Sequence, residues 1–249
     1  VTTTVAMLYP GHAAEDDYAL IESALNESVL NESASPARDI RLPVVITEVG
    51  SDAHTVEAMA AVGERTRLAD GVRRARAYSP AALMWACTSG SFVHGYDGAR
   101  RQVADISDAC GLAASSTSLA FVDACHELGI SRVAIAATYP KPLASRFIGF
   151  LADGGVDVIA LCANDILTAS AAGTLDGDGL FGMLAAADRD DARALLVPDT
   201  ALHTARWITG LEEEFGKPVL TANQVTAWQG LRLAGTSVAA TGLGTLFTR

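Results

Sequence analysis

The chain has 249 residues, half of them hydrophobic, with 29 acidic against 18 basic side chains and a formal net charge of -11. That length and apolar content suffice for a full core in one large domain or two small lobes. The acidic balance argues against a nucleic-acid or anionic-membrane partner, since polyphosphate binding needs a basic face, and directs the reading towards a small-molecule ligand.

The apolar run Thr4–Tyr9 ends in Pro10-Gly11 and His12, and the acids Glu15, Asp16 and Asp17 suit a first helical turn. A helix is expected over about 16–26, then a surface loop or ragged helix end to Arg38 and a strand over 42–49. Residues 55–77 show helical spacing, broken near Gly63 or Gly71. Ala82-Leu-Met-Trp-Ala86 reads as a strand covered on both faces, delivering Cys87 to the turn Thr88-Ser89-Gly90-Ser91. A helix over 98–109, a short strand over 111–117 and a helix over 119–128 closed by Gly129 complete a first half.

Ser131–Tyr139 opens a second series, in which Tyr139-Pro140 stands where Tyr9-Pro10 stands in the first. A helix follows over 142–153, a strand over 156–162 with Asn164 in its exit loop, a helix over 179–188 and a strand over 194–198. That strand leads to Asp199-Thr200, placed as Cys87-Thr88 is in the first half, and the run from Gly216 to Trp228 echoes the one from Gly111 to Phe121. The expectation is an α/β fold of two pseudo-symmetric lobes, each a parallel sheet flanked by helices. Residues 1–119 would carry Cys87, 120–225 would carry Asp199, and 226–249 would be a helix and tail packing back on the first lobe.

Ligands of open parallel sheets lie beyond the carboxyl ends of the strands, where this reading places Cys87, Thr117, Tyr139, Asp199 and Asn223. Backbone N–H groups of the turn at Thr88 and Ser89 are expected to stabilise a Cys87 thiolate, the form that acts as nucleophile. His12 lies close to the same loops. Each of these residues also has an ordinary role: a buried apolar thiol, an N-cap for Asp199, a packed turn for Tyr139, a cap for Asn223. Cys110, Cys125 and Cys162 are read as structural and reduced, since no Cys-x-x-Cys spacing occurs. The scattered histidines form no ligand pattern, and neither a dinucleotide fingerprint nor a phosphate loop is present, so no metal and no cofactor are expected. No stretch reaches the roughly 18 apolar residues of a membrane span. The start lacks the basic head of a signal peptide, which makes a cytoplasmic location the expectation.

Four stretches carry a family resemblance: Ala86-Cys-Thr-Ser-Gly-Ser91, Ala137-Thr-Tyr-Pro140, Thr200-Ala-Leu-His-Thr204, and Thr221–Trp228 before Leu231-Arg-Leu-Ala-Gly235. Together they resemble the aspartate/glutamate racemase superfamily, in its maleate cis-trans isomerase and arylmalonate decarboxylase branch. The resemblance implies an active site between two lobes, usually with one cysteine from each. Isomerases use the first as nucleophile; arylmalonate-type decarboxylases keep only the second. Here Cys87 matches the first, and Asp199 stands at the second.

The implied activity is a cofactor-independent isomerase of a small unsaturated dicarboxylate or its amide, with Cys87 as nucleophile and Asp199 as proton shuttle. Thr88, Ser89, Thr117, Tyr139, Asn164, Thr200, Asn223 and His12 would bind the substrate. A Cys87-dependent amide hydrolase, an arylmalonate-type decarboxylase and a non-catalytic carboxylate-binding protein are the alternatives. A homo-oligomer is expected, with neither nucleic acid nor membrane as partner.

Overall fold

The computed structural model describes residues 2–31 and 39–248. Among them, one parallel sheet is built from β1 (Thr2–Pro10), β2 (Asp39–Arg41), β3 (Val44–Thr47), β4 (Ala82–Trp85) and β5 (Ala113–Ser116). A second is built from β6 (Arg132–Ala137), β7 (Asp157–Ala163), β8 (Ala194–Val197) and β9 (Val219–Thr221). The helices are α1 (Asp17–Asn31), α2 (Val56–Val62), α3 (Arg65–Ala75), α4 (Ser89–Phe92), α5 (Gly95–Cys110), α6 (Thr117–Glu127), α7 (Lys141–Asp153), α8 (Ala169–Ala172), α9 (Gly177–Ala187), α10 (Ile208–Phe215) and α11 (Ala222–Leu233). This is the expected α/β architecture of two parallel sheets flanked by helices.

The strand orders match. In the first sheet β2 and β3 share one edge of β1, whose other edge pairs with β4 and then β5; in the second the order is β7-β6-β8-β9. Each sheet therefore reverses direction beside its first strand, between β1 and β4 and between β6 and β8. Every side chain of β4 and of β8 is buried, as strands covered on both faces require.

Local chemistry explains where elements start and stop. The strand expected over 42–49 is the shorter β3, and β2 precedes it as a separate strand, the two parted at Pro43, which has no N–H to give, although its carbonyl still accepts from the Met7 N–H at 2.9 Å. The long helix expected over 55–77 stops at Gly63, whose N–H caps α2. Gly71 does not break α3; it lets the helix approach Thr47, whose Cγ2 would lie 2.7 Å from an added Cβ. Helix α1 continues past Asn26 to Asn31, within the stretch expected as a surface loop or ragged helix end, and the rest of that stretch, 32–38, lies outside the described residues. Helix α10, for which the sequence reading made no provision, buries Ile208 and Leu211.

The larger apolar core joins the lobes. It runs from β1 and β4 through α6, α7 and α11 to one face of the second sheet, at Val133, Ile135, Leu196 and Leu220. A smaller core, with Ala134, Ala136, Leu195 and Val197, lies on the opposite face under α9 and α10. Although α11 follows β9, it packs on α6 and against β1, β4 and β5. Among the described residues no helix is long and apolar enough to cross a membrane.

Candidate active site

Two side chains end their strands at the reversal points, Cys87 after β4 and Asp199 after β8. Both are buried, at 3% and 4% exposure, and both line a cavity of about 170 Å³. The expected convergence of these two residues is thus present in the structure. Tyr9, His12, His54, Met59, Ser89 and Thr200 line the same space. A larger groove of about 610 Å³, between α3 and α5, contains neither strand end.

The Cys87 turn is built by close approach. The Gly90 N–H donates to Cys87 Sγ at 3.3 Å, and the Ser89 backbone also faces the sulfur. A Cβ on Gly90 would lie 3.0 Å from Sγ and 3.1 Å from the Trp85 ring. Ser89 Oγ donates to Met59 Sδ at 2.9 Å, which ties the turn to α2. The donors expected from the sequence are there, but burial outweighs them: the thiol is pushed up to about 11, with the Asp199 charge adding to the rise. In the ligand-free protein Cys87 is therefore a thiol. Its alkylation by iodoacetamide, followed by mass spectrometry of the Cys87 peptide, is expected to be slow at neutral pH and to rise about tenfold per pH unit towards that value. A fast reaction with a plateau at neutral pH would contradict this.

Gly63 supports the same turn from behind, since a Cβ there would sit 2.3 Å from the Gly90 carbonyl oxygen. That oxygen and the Gly63 carbonyl share the Gln102 side-chain amide, each at 3.0 Å. Gly63→Ala is expected to destabilise the fold by about 1–3 kcal/mol and to displace Gly90 from the sulfur. A urea midpoint unchanged from the parent protein would refute the expectation.

Asp199 is held on three sides. Its Oδ1 accepts from the Ala201 N–H at 3.0 Å, its Oδ2 accepts from the Thr138 hydroxyl, and His54 Nε2 lies 3.8 Å from Oδ2. Tyr9 closes this end, its hydroxyl donating to the Thr200 carbonyl at 2.8 Å and accepting from the Ala14 N–H at 3.0 Å. Burial raises the Tyr9 phenol well above its ordinary range, so it serves as a neutral donor.

Other expected contacts are used inside the protein. Thr88 and Thr117 are fully buried outside the cavity lining; Thr117 shares a 2.7 Å hydrogen bond with Thr226, joining α6 to α11. Tyr139 donates to the Pro198 carbonyl at 3.1 Å and packs edge-on against His54. Asn223 donates to Asp17 and to the Thr200 and Leu202 carbonyls, at 3.2, 3.2 and 3.4 Å. Asn164 is exposed and donates to the Ala137 carbonyl at 2.9 Å, closing the end of β6. Thr88, Thr117, Tyr139, Asn164 and Asn223 thus lie outside the cavity lining, and Thr117, Tyr139, Asn164 and Asn223 direct hydrogen bonds to groups of the protein itself. His12 reaches the cavity rim, where it pairs with Glu15 at 2.6 Å and is largely exposed.

The sequence reading missed Tyr9 and His54. Tyr9 was signalled by its equivalence to Tyr139. His54 had no local signal, because it arrives through a contact between lobes: Ala53 bridges Thr168, the His54 N–H donates to the Leu167 carbonyl at 2.8 Å, and the Ala169 N–H donates to the Asp52 carbonyl at 2.9 Å. Asp52 also accepts from the Ser170 N–H at 3.1 Å. These contacts roof the cavity.

Known proteins share this fold. The arylmalonate decarboxylase family model matches residues 49–247. The arylmalonate decarboxylase of Bordetella bronchiseptica is 27% identical over 209 residues, 83% of this chain and 86% of that protein. The maleate isomerase of Nocardia farcinica (strain IFM 10152) is 25% identical over 174 residues, 68% of this chain and 69% of that protein. A solved structure of a cysteine-to-serine mutant of Nocardia farcinica maleate cis-trans isomerase, with a covalently bound succinylcysteine intermediate, aligns over 100% of this chain and 99% of that chain, with a TM-score of 0.84 and 20% identity. With four-fifths of its length matched by the family model, this chain belongs to the arylmalonate decarboxylase family and is an enzyme of the racemase superfamily.

Proposed function

We propose that the chain is a cofactor-independent isomerase of a small cis-configured unsaturated dicarboxylate or its amide, with Cys87 as nucleophile. The observation that carries this reading is the Cys87 thiol, which faces the cavity from the end of β4 and accepts the Gly90 N–H. In the reaction the Cys87 S–H bond breaks and sulfur bonds to one olefinic carbon. The π electrons pass to the neighbouring carbon and its carboxyl or amide, and a proton closes that carbon. Rotation about the resulting single bond, loss of that proton and expulsion of sulfur give the trans olefin, and the thiol recovers its proton. The covalent succinylcysteine of the Nocardia farcinica isomerase supports such a thioether.

The residues at the site favour this over decarboxylation. The protonating thiol of a decarboxylase would stand where this chain has Asp199, and the cavity of about 170 Å³ has room for a four-carbon diacid or monoamide. The test is a proton NMR time course in D2O with maleate, maleamate and phenylmalonate, beside Cys87→Ala. A trans olefin formed only with Cys87 present supports the isomerase. Deuterium at a new α carbon from phenylmalonate, or hydrolysis of maleamate to maleate, would replace it with a decarboxylase or a hydrolase.

A further inference from the structure

His54 is a buried imidazole, its side chain 2% exposed, placed in the cavity wall by a loop that the isomerase reading does not otherwise use. Its Nδ1 lies 2.7 Å from the Ile166 carbonyl oxygen. A carbonyl only accepts, so Nδ1 carries a hydrogen whatever else the ring does. Nε2 is then left facing Asp199 Oδ2 at 3.8 Å, with water largely excluded. A proton on Nε2 would turn this contact from two facing lone pairs into an attraction, and both Asp199 oxygens already accept hydrogen bonds as a carboxylate does, from the Ala201 N–H and the Thr138 hydroxyl.

We infer that His54 and Asp199 form a net-neutral proton-carrying pair which, opposite the Cys87 nucleophile, takes the place of the second thiol found in two-cysteine relatives. The inference rests on the isomerase reading and deepens it. The pair has the two properties that a thiol brings to that position: no net charge towards an anionic substrate, and one transferable proton. A lone Asp199 carboxylate would repel a dicarboxylate, and the neutral pair does not.

The step balances. As Cys87 sulfur bonds to one olefinic carbon, its proton passes to Asp199, and the Nε2 proton closes the neighbouring carbon. His54 is then neutral and Asp199 protonated, and the pair again holds one proton. After rotation, Nε2 takes a proton back from that carbon, sulfur leaves with the bonding pair, and Asp199 returns the proton to sulfur.

Two measurements on the full chain test this. The first is 15N NMR of the imidazoles, with His54 assigned by its loss in His54→Gln. Both ring nitrogens of His54 are expected to be protonated, and the Nε2 proton should be lost in Asp199→Asn. An unprotonated Nε2 in the parent protein overturns the inference.

The second is turnover of maleate and maleamate. His54→Ala and His54→Gln are each expected to lower kcat by about a hundredfold or more with little change in KM. Added imidazole should restore part of the His54→Ala activity and none of the Cys87→Ala activity. Full activity in His54→Gln, or folded His54→Ala without rescue, would overturn the inference and leave Cys87 chemistry standing. Silence of the parent protein on both compounds would instead sink the isomerase reading, and the NMR result would then decide the pair by itself.

Discussion

Cys87→Ala is expected to reduce turnover by at least about 10⁴-fold, because the reaction has no other way of turning a double bond into a rotatable one. The competing possibility, that Cys87 is a small buried apolar residue, predicts the opposite. An alanine would then fill the site at a modest cost in stability and none in chemistry. The two are separable because the sulfur has few structural duties. It accepts the Gly90 N–H at 3.3 Å and lies 3.9 Å from Ser89 Oγ, so its removal orphans one backbone donor. Such a loss costs about 1–3 kcal/mol. Turnover of maleate or maleamate, followed beside a urea titration, therefore decides between them. A folded Cys87→Ala protein that retains even a tenth of the parent rate would end the nucleophile assignment. Cys87→Ser should keep the contact with Gly90 and remain nearly inactive, since an unactivated hydroxyl adds poorly to an olefin.

The largest effect on stability is expected from Asp17→Ala, at about 3–5 kcal/mol. Asp17 begins α1 and is fully buried, yet it serves the second lobe. Its Oδ2 accepts from the Thr204 N–H at 2.8 Å, the Ala205 N–H at 3.1 Å, the Thr204 hydroxyl at 3.2 Å and Asn223 Nδ2 at 3.2 Å. Alanine would leave these donors buried and unanswered. Burial raises the Asp17 carboxyl from its ordinary value, and the donors only partly offset it. The sign follows from proton linkage: between the unfolded and the folded value, the folded state holds the proton more tightly. Stability from this group therefore increases as pH falls into that window and is lost as pH rises through it. Urea midpoints measured from about pH 4 to 7 should show this slope in the parent protein and not in Asp17→Asn. Identical slopes would remove Asp17 as its source.

How much the sequence revealed depended on whether the cause was local. The uncharged run Ala82–Ala86 allowed few structures other than a buried strand, and the strand fixed the position of Cys87. The repeat of an apolar strand ending in Tyr-Pro placed Asp199 at the matching point of the second half. By contrast, Thr117, Asn164 and Asn223 have side chains equally suited to a ligand and to an internal carbonyl. Which of the two they meet depends on the direction of the side chain, and that is set by α11, β6 and Asp17 rather than by neighbours in sequence. His54 shows the other limit. Ser51-Asp-Ala-His-Thr55 has no periodicity, and it becomes ordered against residues more than a hundred positions away. Pro43 and Gly63 lie between these cases, their effects readable from backbone chemistry once the elements beside them are known.

The placement of α11 sets how a ligand enters. Because this helix leaves the second sheet and packs into the first lobe's layer, the lobes share one core and cannot swing apart like the halves of a clamshell without exposing it. The contacts between residues 52–54 and 166–170 include a handful of hydrogen bonds, each contributing roughly 1 kcal/mol. With the lobes fixed, any widening of the mouth beyond its rim at His12 falls to these two short loops, a local adjustment that leaves the strands beneath undisturbed. One of the loops carries His54, so the separation of the imidazole from Asp199 is tied to the width of that mouth.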